Sequence, residues 1–169
     1  MIIGPETPID DDAITQVTLA AFTGKFSDNP NEHLIVKGLR EAGALSLSLV
    51  AEMDGRIVGH VAFSVVLING EDKGWYGLGP ISVQPDLQKQ GIGSALIHEG
   101  LAGIRDMGAR GCVLEGSPAY YQRFGFKSHP ELVYEGAPAP QYFMAIPFYD
   151  EIPTGKVEYH KAFYIPISP

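Results

Sequence analysis

A change in hydrophobic period, from two to about 3.6, divides the middle of the chain and constrains the fold more than any other feature. Apolar residues alternate along 45–53 (Leu45, Leu47, Leu49, Ala51 and Met53), which predicts a half-buried strand. Asp54 and Gly55 then favour a two-residue turn, because both positions tolerate a positive φ. A return strand over 56–68 and a third strand over 75–84 complete a predicted antiparallel meander.

After the third strand the spacing becomes helical. One apolar stripe predicts a long helix that ends near Gly108: Gly93, Leu96, Ile97, Gly100, Leu101, Ile104 and Met107. Asn29 and Pro30 supply the N-cap and first-turn proline of an earlier helix that ends near Gly43. Shorter patterns predict the remaining elements: a strand over 2–5, a helix starting at Asp10–Asp12 and carrying Ile14, Val17 and Ala21, a strand over 111–114, a helix over 118–123, and tail strands over 142–146 and 162–167.

The predicted order is β-α-α-β-β-β-α-β-α-β-β, an α+β fold with a mixed, mostly antiparallel sheet of about seven strands flanked by about four helices. One domain accommodates all 169 residues. We expect its core within 1–150 and its C-terminal strands up to 169. Gly79 and Pro80 interrupt the third meander strand. Because proline has no N–H to donate, this strand should stop pairing fully on one side near Pro80.

Composition narrows the functional classes. A hydrophobic share of 45% and a charged share of 19% are typical of a globular protein, and no apolar run is long enough to span a membrane. The net charge of -8 disfavours a nucleic-acid or anionic-membrane partner. Cys112 is the single cysteine and the first residues lack a secretory leader, so we expect a cytoplasmic protein. The five histidines lack metal-ligand spacing, so no metal is expected.

Residues 88–93, Gln-Lys-Gln-Gly-Ile-Gly, lie between the third meander strand and the long helix. The first N–H groups of a helix have no backbone partners, and the positive end of its dipole lies there. Gly91 and Gly93 carry no Cβ, so an anion can approach the backbone closely. A diphosphate site and a plain tight turn both fit this pattern. A dinucleotide fingerprint does not, because Leu96 stands where the third glycine belongs.

The segment over 81–96 resembles the acetyl-CoA-binding segment of the GNAT superfamily of N-acetyltransferases. Gln88, Gly91 and Gly93 match its Gln/Arg-x-x-Gly-x-Gly/Ala signature after a strand. The segment over 120–126, Tyr-Tyr-Gln-Arg-Phe-Gly-Phe, resembles the aromatic-Tyr-x-x-x-Gly-Phe segment of the same superfamily. The predicted order of elements from 1 to 126 agrees as well, so the resemblance covers most of the chain.

The resemblance implies acetyl-CoA as cosubstrate and no metal. Residues of the loop would cradle the CoA pyrophosphate: Gln88, Lys89, Gln90, Gly91, Ile92, Gly93 and Ser94. Main-chain groups of Ile81 and Val83 would pair with the pantetheine arm, which the family admits where two parallel strands splay. The gap predicted at Pro80 agrees with that arrangement.

The resemblance also implies that Tyr121 lies beside the cofactor sulfur, where its hydroxyl would donate a hydrogen bond or proton to the leaving thiolate. The N–H near Ile81 would stabilise the oxyanion. The general base stays open: Glu115, Glu52 and water are all candidates, since 76–84 contains no carboxylate.

The implied function is direct transfer of an acetyl group to an amine, either a small molecule or a protein N-terminus. The alternatives are an acyl-CoA-binding regulatory module without turnover and a transferase of longer acyl groups. Many members of the family dimerise, so a homodimer is one expected assembly.

Overall fold

The computed structural model describes residues 1–25 and 27–164, and all structural statements refer to these residues. Its strands are β1 (Ile2–Pro5), β2 (Leu47–Met53), β3 (Arg56–Val65), β4 (Leu67–Ile68), β5 (Trp75–Val83), β6 (Gly111–Glu115), β7 (Leu132–Val133), β8 (Phe143–Pro147) and β9 (Gly155–Glu158). Its α-helices are α1 (Asp11–Phe22), α2 (Glu32–Glu41), α3 (Ile92–Asp106) and α4 (Pro118–Tyr121). Within the described ranges, no helix is long and apolar enough to cross a bilayer.

The main sheet has six strands in the order β1-β2-β3-β5-β6-β8. Every neighbouring pair is antiparallel except β5 and β6, which are parallel. The predicted mixed, mostly antiparallel sheet with flanking helices is therefore confirmed, with six strands rather than seven in it. A second sheet, β4-β9-β7, has three short strands and was not predicted from the sequence, in which 67–68 belonged to the return strand.

Helices cover both faces of the main sheet, as the period-two pattern requires. Leu49 and Ala51 pack into the large core under α3, whereas Val50, which points the other way, packs with Ile14 of α1 and Val36 of α2. The stripe on α3 is confirmed for Leu96, Ile97, Gly100, Leu101 and Ile104. Met107 follows the end of the helix and is 47% exposed, so it does not belong to the buried stripe.

Several predicted boundaries were wrong. The return strand ends at Val65, and 67–68 leaves the main sheet to pair with β9. Helix α2 begins at Glu32 with Asn31 as its N-cap, so Asn29 does not cap it. Residues 161–164 form a 3₁₀ turn where a tail strand was predicted over 162–167, and 165–167 lie outside the described residues.

The predicted loss of pairing in the third meander strand is confirmed and begins earlier than expected. Strand β5 pairs with β6 only through Trp75, Tyr76 and Gly77. On its other edge β5 pairs with β3 along most of its length, with a register shift that places Gly79 and Pro80 in a bulge. Beyond Gly77, no strand among residues 1–25 and 27–164 pairs with the edge of β5 that faces β6.

A buried polar cluster ties β1 and α2 to the sheet. The guanidinium of Arg40 donates hydrogen bonds to both oxygens of the Glu6 carboxylate at 2.9 and 3.1 Å. Ser48 donates to the same carboxylate and lies 2.8 Å from Nε2 of His60. His60 is fully buried, and that burial lowers its pKa to about 4 despite the nearby Glu6 charge. The imidazole is therefore neutral in the folded protein at neutral pH.

Candidate active site

A cleft of about 1050 Å³ follows the unpaired edge of β5. Residues 78–83 of β5 line the cleft. Residues 115–117, which lie at the end of β6 and just after that strand, also line the cleft. At the Val83 end of the strand the cleft reaches the N-terminus of α3, and at the Gly77 end it reaches Tyr159, whose ring packs against Gly77. The splay between β5 and β6 thus produces one continuous groove with two chemically different ends.

The alternation of β5 directs specific main-chain groups into the groove. Gln84 donates its N–H to the carbonyl of Val58 on the β3 side. In an antiparallel ladder the hydrogen-bonding direction alternates along the strand, so Ile81 and Val83 direct their N–H and carbonyl groups toward the open edge. Ile81 and Val83, which were singled out in the sequence, therefore direct their hydrogen-bonding main-chain groups into the cleft.

The loop before α3 has the geometry of an anion site. Lys89 and Gly91 have φ values of 64° and 89°, the left-handed conformation that lets the chain turn sharply into the helix. The first bond spanning this junction runs from the Ala95 N–H to the Gly91 carbonyl, so the N–H groups of Ile92 to Ser94 precede the helical ladder. Residues 91–94 line the cleft, so these donors and the positive end of the helix dipole are available to an anion there.

Side chains fix and supplement this loop. The Gln88 amide donates a hydrogen bond to the Val83 carbonyl at 3.1 Å, which ties the loop to the end of β5. Lys89 lines the cleft, and so does Arg123, whose guanidinium lies 4.7 Å over the Tyr120 ring and donates to the Tyr120 carbonyl. Arg123 was not assigned a role from the sequence, because its cation reaches this end only through the fold of the segment after β6.

The structure brings almost all of the predicted cofactor residues to this groove. Lining residues are Ile81, Val83, Gln88, Lys89, Gly91, Ile92, Gly93 and Ser94. Gln90 does not line it, and its side chain is exposed. Ile92 is only 4% exposed because its side chain packs in the core, so it presents mainly its backbone to the groove.

Tyr121 lines the same cleft as the open edge of β5. Its ring packs edge-on against Tyr120, with centroids 4.9 Å apart, and covers Gly116 so closely that a Cβ there would lie 2.5 Å from it. Burial raises the pKa of Tyr121 to about 12, with a further contribution from Tyr120. The phenol therefore remains protonated, and remains a hydrogen-bond donor, over the whole physiological pH range.

The two carboxylates predicted as candidate bases differ in whether they line the cleft. Glu115 lines the cleft, and partial burial raises its pKa. Tyr134 and Tyr159 line the same cleft, and burial raises the pKa of each, with a smaller contribution from the Glu115 charge. Glu52 is exposed on β2 and does not line the cleft. Glu32, at the start of α2, does line it and was missed in the sequence.

The Gly77 end of the groove is aromatic. The ring of Tyr159 lies 5.0 Å from that of Tyr134 and 4.9 Å from that of Phe163. Tyr134 and Tyr159 were not singled out from the sequence, because only the second sheet brings their distant segments together. Other aromatic residues differ in exposure: Trp75 and Phe143 are buried, whereas Tyr149 and Tyr164 are 58% and 50% exposed.

Within the part of the chain that the structure describes, neither the cysteine nor a cluster of metal-ligating side chains lines this cleft. Cys112 is fully buried and burial raises the pKa of its thiol, which is what a packing residue shows. Among residues 1–25 and 27–164, no group of three or more His, Cys, Asp or Glu side chains is arranged to hold a metal ion.

Comparisons with known proteins agree with this geometry. A family model described as the acetyltransferase (GNAT) domain matches residues 44–128. The chain is 36% identical to the uncharacterized N-acetyltransferase YhbS of Escherichia coli strain K12, and the match covers 96% of this chain and 98% of that protein.

Two solved structures are similar along nearly their whole length. A GNAT family acetyltransferase from Brucella melitensis in complex with acetyl-CoA matches with a TM-score of 0.86 and 52% identity, over 96% of this chain and 97% of that one. Escherichia coli YhbS in complex with CoA matches with a TM-score of 0.89 and 36% identity, over 97% of this chain and 92% of that one.

Proposed function

The chain belongs to the GNAT family of acetyltransferases, and we propose that it transfers the acetyl group of acetyl-CoA directly to a primary amine within a ternary complex. The observation that carries the proposal is the groove along β5, which combines an open ladder edge with a helix N-terminus at its Val83 end. An extended arm with an amide backbone fits the first feature, and a diphosphate fits the second.

In this proposal the cofactor completes the gap in the sheet. The pantetheine arm bonds to main-chain groups of Ile81 and Val83 as an added strand would. The pyrophosphate accepts bonds from the N–H groups over 89–94, and Lys89 and Arg123 supply positive charge nearby. Gln90 contributes through its backbone alone, because its side chain does not line the groove.

Tyr121 acts on the leaving sulfur as a hydrogen-bond donor. With a pKa of about 12, its phenol is a weaker acid than a typical protein thiol of pKa about 8.5, so full proton transfer to a thiolate is uphill. A hydrogen bond to the developing thiolate needs no such transfer and strengthens as charge accumulates. We therefore assign Tyr121 stabilisation of the thiolate, with the proton supplied by solvent.

Glu115 takes the first of the two protons that the acceptor ammonium must lose. The ammonium gives this proton to the Glu115 carboxylate, and the free amine attacks the thioester carbon to form a tetrahedral intermediate. Collapse breaks the carbon–sulfur bond and expels the thiolate, while the nitrogen releases its second proton to solvent and becomes an amide. A carboxyl whose pKa is raised by burial is a better proton acceptor than a solvated one.

The enzymatic test measures thiol release from acetyl-CoA over a panel of amines, with amine-free reactions as background. Acetylated product should form in amounts equal to the CoA released. A protein that binds CoA in calorimetry but releases no thiol with any amine would be a binding module instead. Replacing acetyl-CoA with longer acyl-CoA thioesters in the same assay identifies a preference for a longer acyl group.

Cytoplasmic residence is part of the proposal. Its support is the single cysteine, Cys112, which is buried and has no cysteine partner in the sequence. Cell fractionation with an antibody to the chain tests it, and recovery outside the cytoplasmic fraction would contradict it.

A further inference from the structure

The aromatic end of the groove specifies what kind of amine enters, provided that the proposed acetyl transfer is correct. The cofactor's phosphates occupy the Val83 end in that proposal, and Tyr121 marks the position of the sulfur. The acceptor must then approach from the remaining end, which Tyr134, Tyr159 and Phe163 line. The chemistry of these side chains therefore selects the acceptor.

The three rings form a stable wall rather than a loose patch. Tyr159 is 8% exposed and packs on Gly77, where even a Cβ would lie 2.6 Å from its ring. Phe163 packs with Ile35 of α2, which also lines the cleft, so the wall continues onto the helical side. A fixed, flat apolar surface is suited to the face or edge of another ring.

One polar end of this wall, the Tyr134 hydroxyl, already has a partner. Burial raises the pKa of Tyr134, and a hydrogen bond with Tyr164 raises it further. The Tyr164 hydroxyl also accepts the N–H of Tyr159 at 3.2 Å. The ring of Tyr134 is therefore the part that a ligand contacts most readily.

Negative charge is present next to the wall but in small amount. Glu115 at the end of β6 and Glu32 at the start of α2 line the same cleft as the three rings, and Lys25 lines it as well. One ammonium between a carboxylate and aromatic rings is well stabilised, by the ion pair and by cation–π attraction. A polycation would place its further charges against the apolar wall without partners.

We infer that the acceptor is a monoamine whose nitrogen is joined by a short linker to a flat apolar ring, which packs on Tyr134, Tyr159 and Phe163 while Glu115 holds the ammonium. The ring supplies most of the selectivity, because the ammonium contact is common to every amine.

The test compares phenethylamine with ethanolamine, in which a hydroxyl replaces the ring at similar basicity, and with 1,4-diaminobutane. We expect kcat/KM for phenethylamine to exceed both by at least about tenfold, as is usual when an apolar group fills a matching pocket. Equal or higher kcat/KM for either polar amine would overturn the inference while leaving the transferase function intact.

Alanine variants of the ring wall test which side chains produce the selectivity for phenethylamine. Tyr134→Ala and Phe163→Ala should each lower kcat/KM for phenethylamine about tenfold, by the same removal of apolar contact, and change that for ethanolamine less than twofold. Tyr149→Ala is the control, because Tyr149 is exposed and does not line this groove. An equal loss for both amines, or no loss for either, would contradict the assigned wall.

Binding separates the two hypotheses if transfer fails. Phenethylamine is titrated into the CoA-loaded protein, with ethanolamine and diaminobutane in parallel. Selective binding of phenethylamine without turnover would support the acceptor class and overturn the proposed reaction. Failure of phenethylamine to bind more tightly than the polar amines would overturn the acceptor class.

Discussion

The Tyr120 hydroxyl lies 3.4 Å from the position that a Cβ on Gly93 would occupy, and Cγ2 of Val83 lies 3.6 Å from it. The short helix after β6, the first turn of α3 and the end of β5 thus meet around a residue without a side chain. Gly93 has no left-handed backbone conformation to require glycine. What its small size preserves is free space in the groove.

Gly93→Val should abolish CoA binding while the protein stays folded. The two added methyl groups would extend into the path of the pyrophosphate, and a β-branched residue costs only a few tenths of a kcal/mol to about 1 kcal/mol in a helix. Calorimetric titration with CoA and thermal melting measure the two effects. Ala102→Val is the matched control, since Ala102 is exposed on the same helix and does not line the cleft. Normal CoA affinity in Gly93→Val would show that the loop has been misassigned.

Tyr121→Phe should lower kcat by about 10- to 100-fold, because a hydrogen bond to a charged group contributes roughly 1.5–3 kcal/mol. The acetyl-CoA dissociation constant should stay within about twofold, as expected for a contact made mainly in the transition state. The ring packing with Tyr120 is retained by phenylalanine. Steady-state kinetics and a parallel titration provide the measurements, with Tyr142→Phe as an exposed control. A rate within twofold of wild type would make Tyr121 a packing residue.

Glu115→Gln should remove the acidic limb of the kcat–pH profile. The Glu115 pKa is raised by burial, so wild-type kcat should rise with pH through a value above that of an ordinary carboxyl. The stabilisation linked to a raised carboxyl pKa is present at low pH and is lost as pH increases through the folded pKa, so the variant should melt no lower than wild type at pH 7.

Glu52→Gln is the control for that experiment, because the two carboxylates were equal candidates in the sequence and only Glu115 lines the cleft. It should leave the profile unchanged. An unchanged limb in Glu115→Gln would transfer the proton-accepting role to water or to Glu32.

The stability of the protein should fall as pH decreases from about 6.5 to about 4, because the buried His60 is neutral in the folded state and protonated in the unfolded chain over that range. The pKa shift corresponds to about 3 kcal/mol at the acid end of the interval. Below about 4.5 the lowered pKa of Glu6 adds a further loss, since its hydrogen-bonded carboxylate must be protonated.

His60→Gln should reduce the loss of stability as pH decreases from about 6.5 toward about 4. Urea unfolding at several pH values measures the free energy of unfolding of both proteins. His98→Gln is the control on the exposed side of α3 and should retain the wild-type slope. A slope that His60→Gln leaves unchanged would contradict the role of His60.

Local patterns predicted most of the elements that form the groove. Pro80 indicated the loss of pairing because proline lacks an N–H, which is a property of one residue in one strand. Gly91 indicated the turn because the positive φ needed there is also a property of one residue. The strands β4, β7 and β9 are too short to show a period or a pairing preference, so their assembly into a second sheet could not be predicted.

The acceptor end was missed for the same reason. Tyr134 and Tyr159 come from segments that the second sheet positions, and Glu32 reaches the cleft only through the packing of α2. Nothing in the immediate sequence of these residues distinguishes them from surface or core residues. By contrast, the proposed anion-binding role of the loop over 88–94 depends on the N-terminus of a single helix, and the start of a helix can be recognised from the local sequence.

The gap between β5 and β6 interrupts the hydrogen bonds of the sheet but not the hydrophobic core beneath it. Phe63 and Leu78 on one side of the gap belong to the same buried cluster as Leu114 and Met144 on the other. The groove is therefore preorganised, and cofactor binding loses little conformational entropy in ordering the protein. Association should then be limited mainly by diffusion and orientation, so that differences in affinity among CoA thioesters appear in how slowly each one leaves.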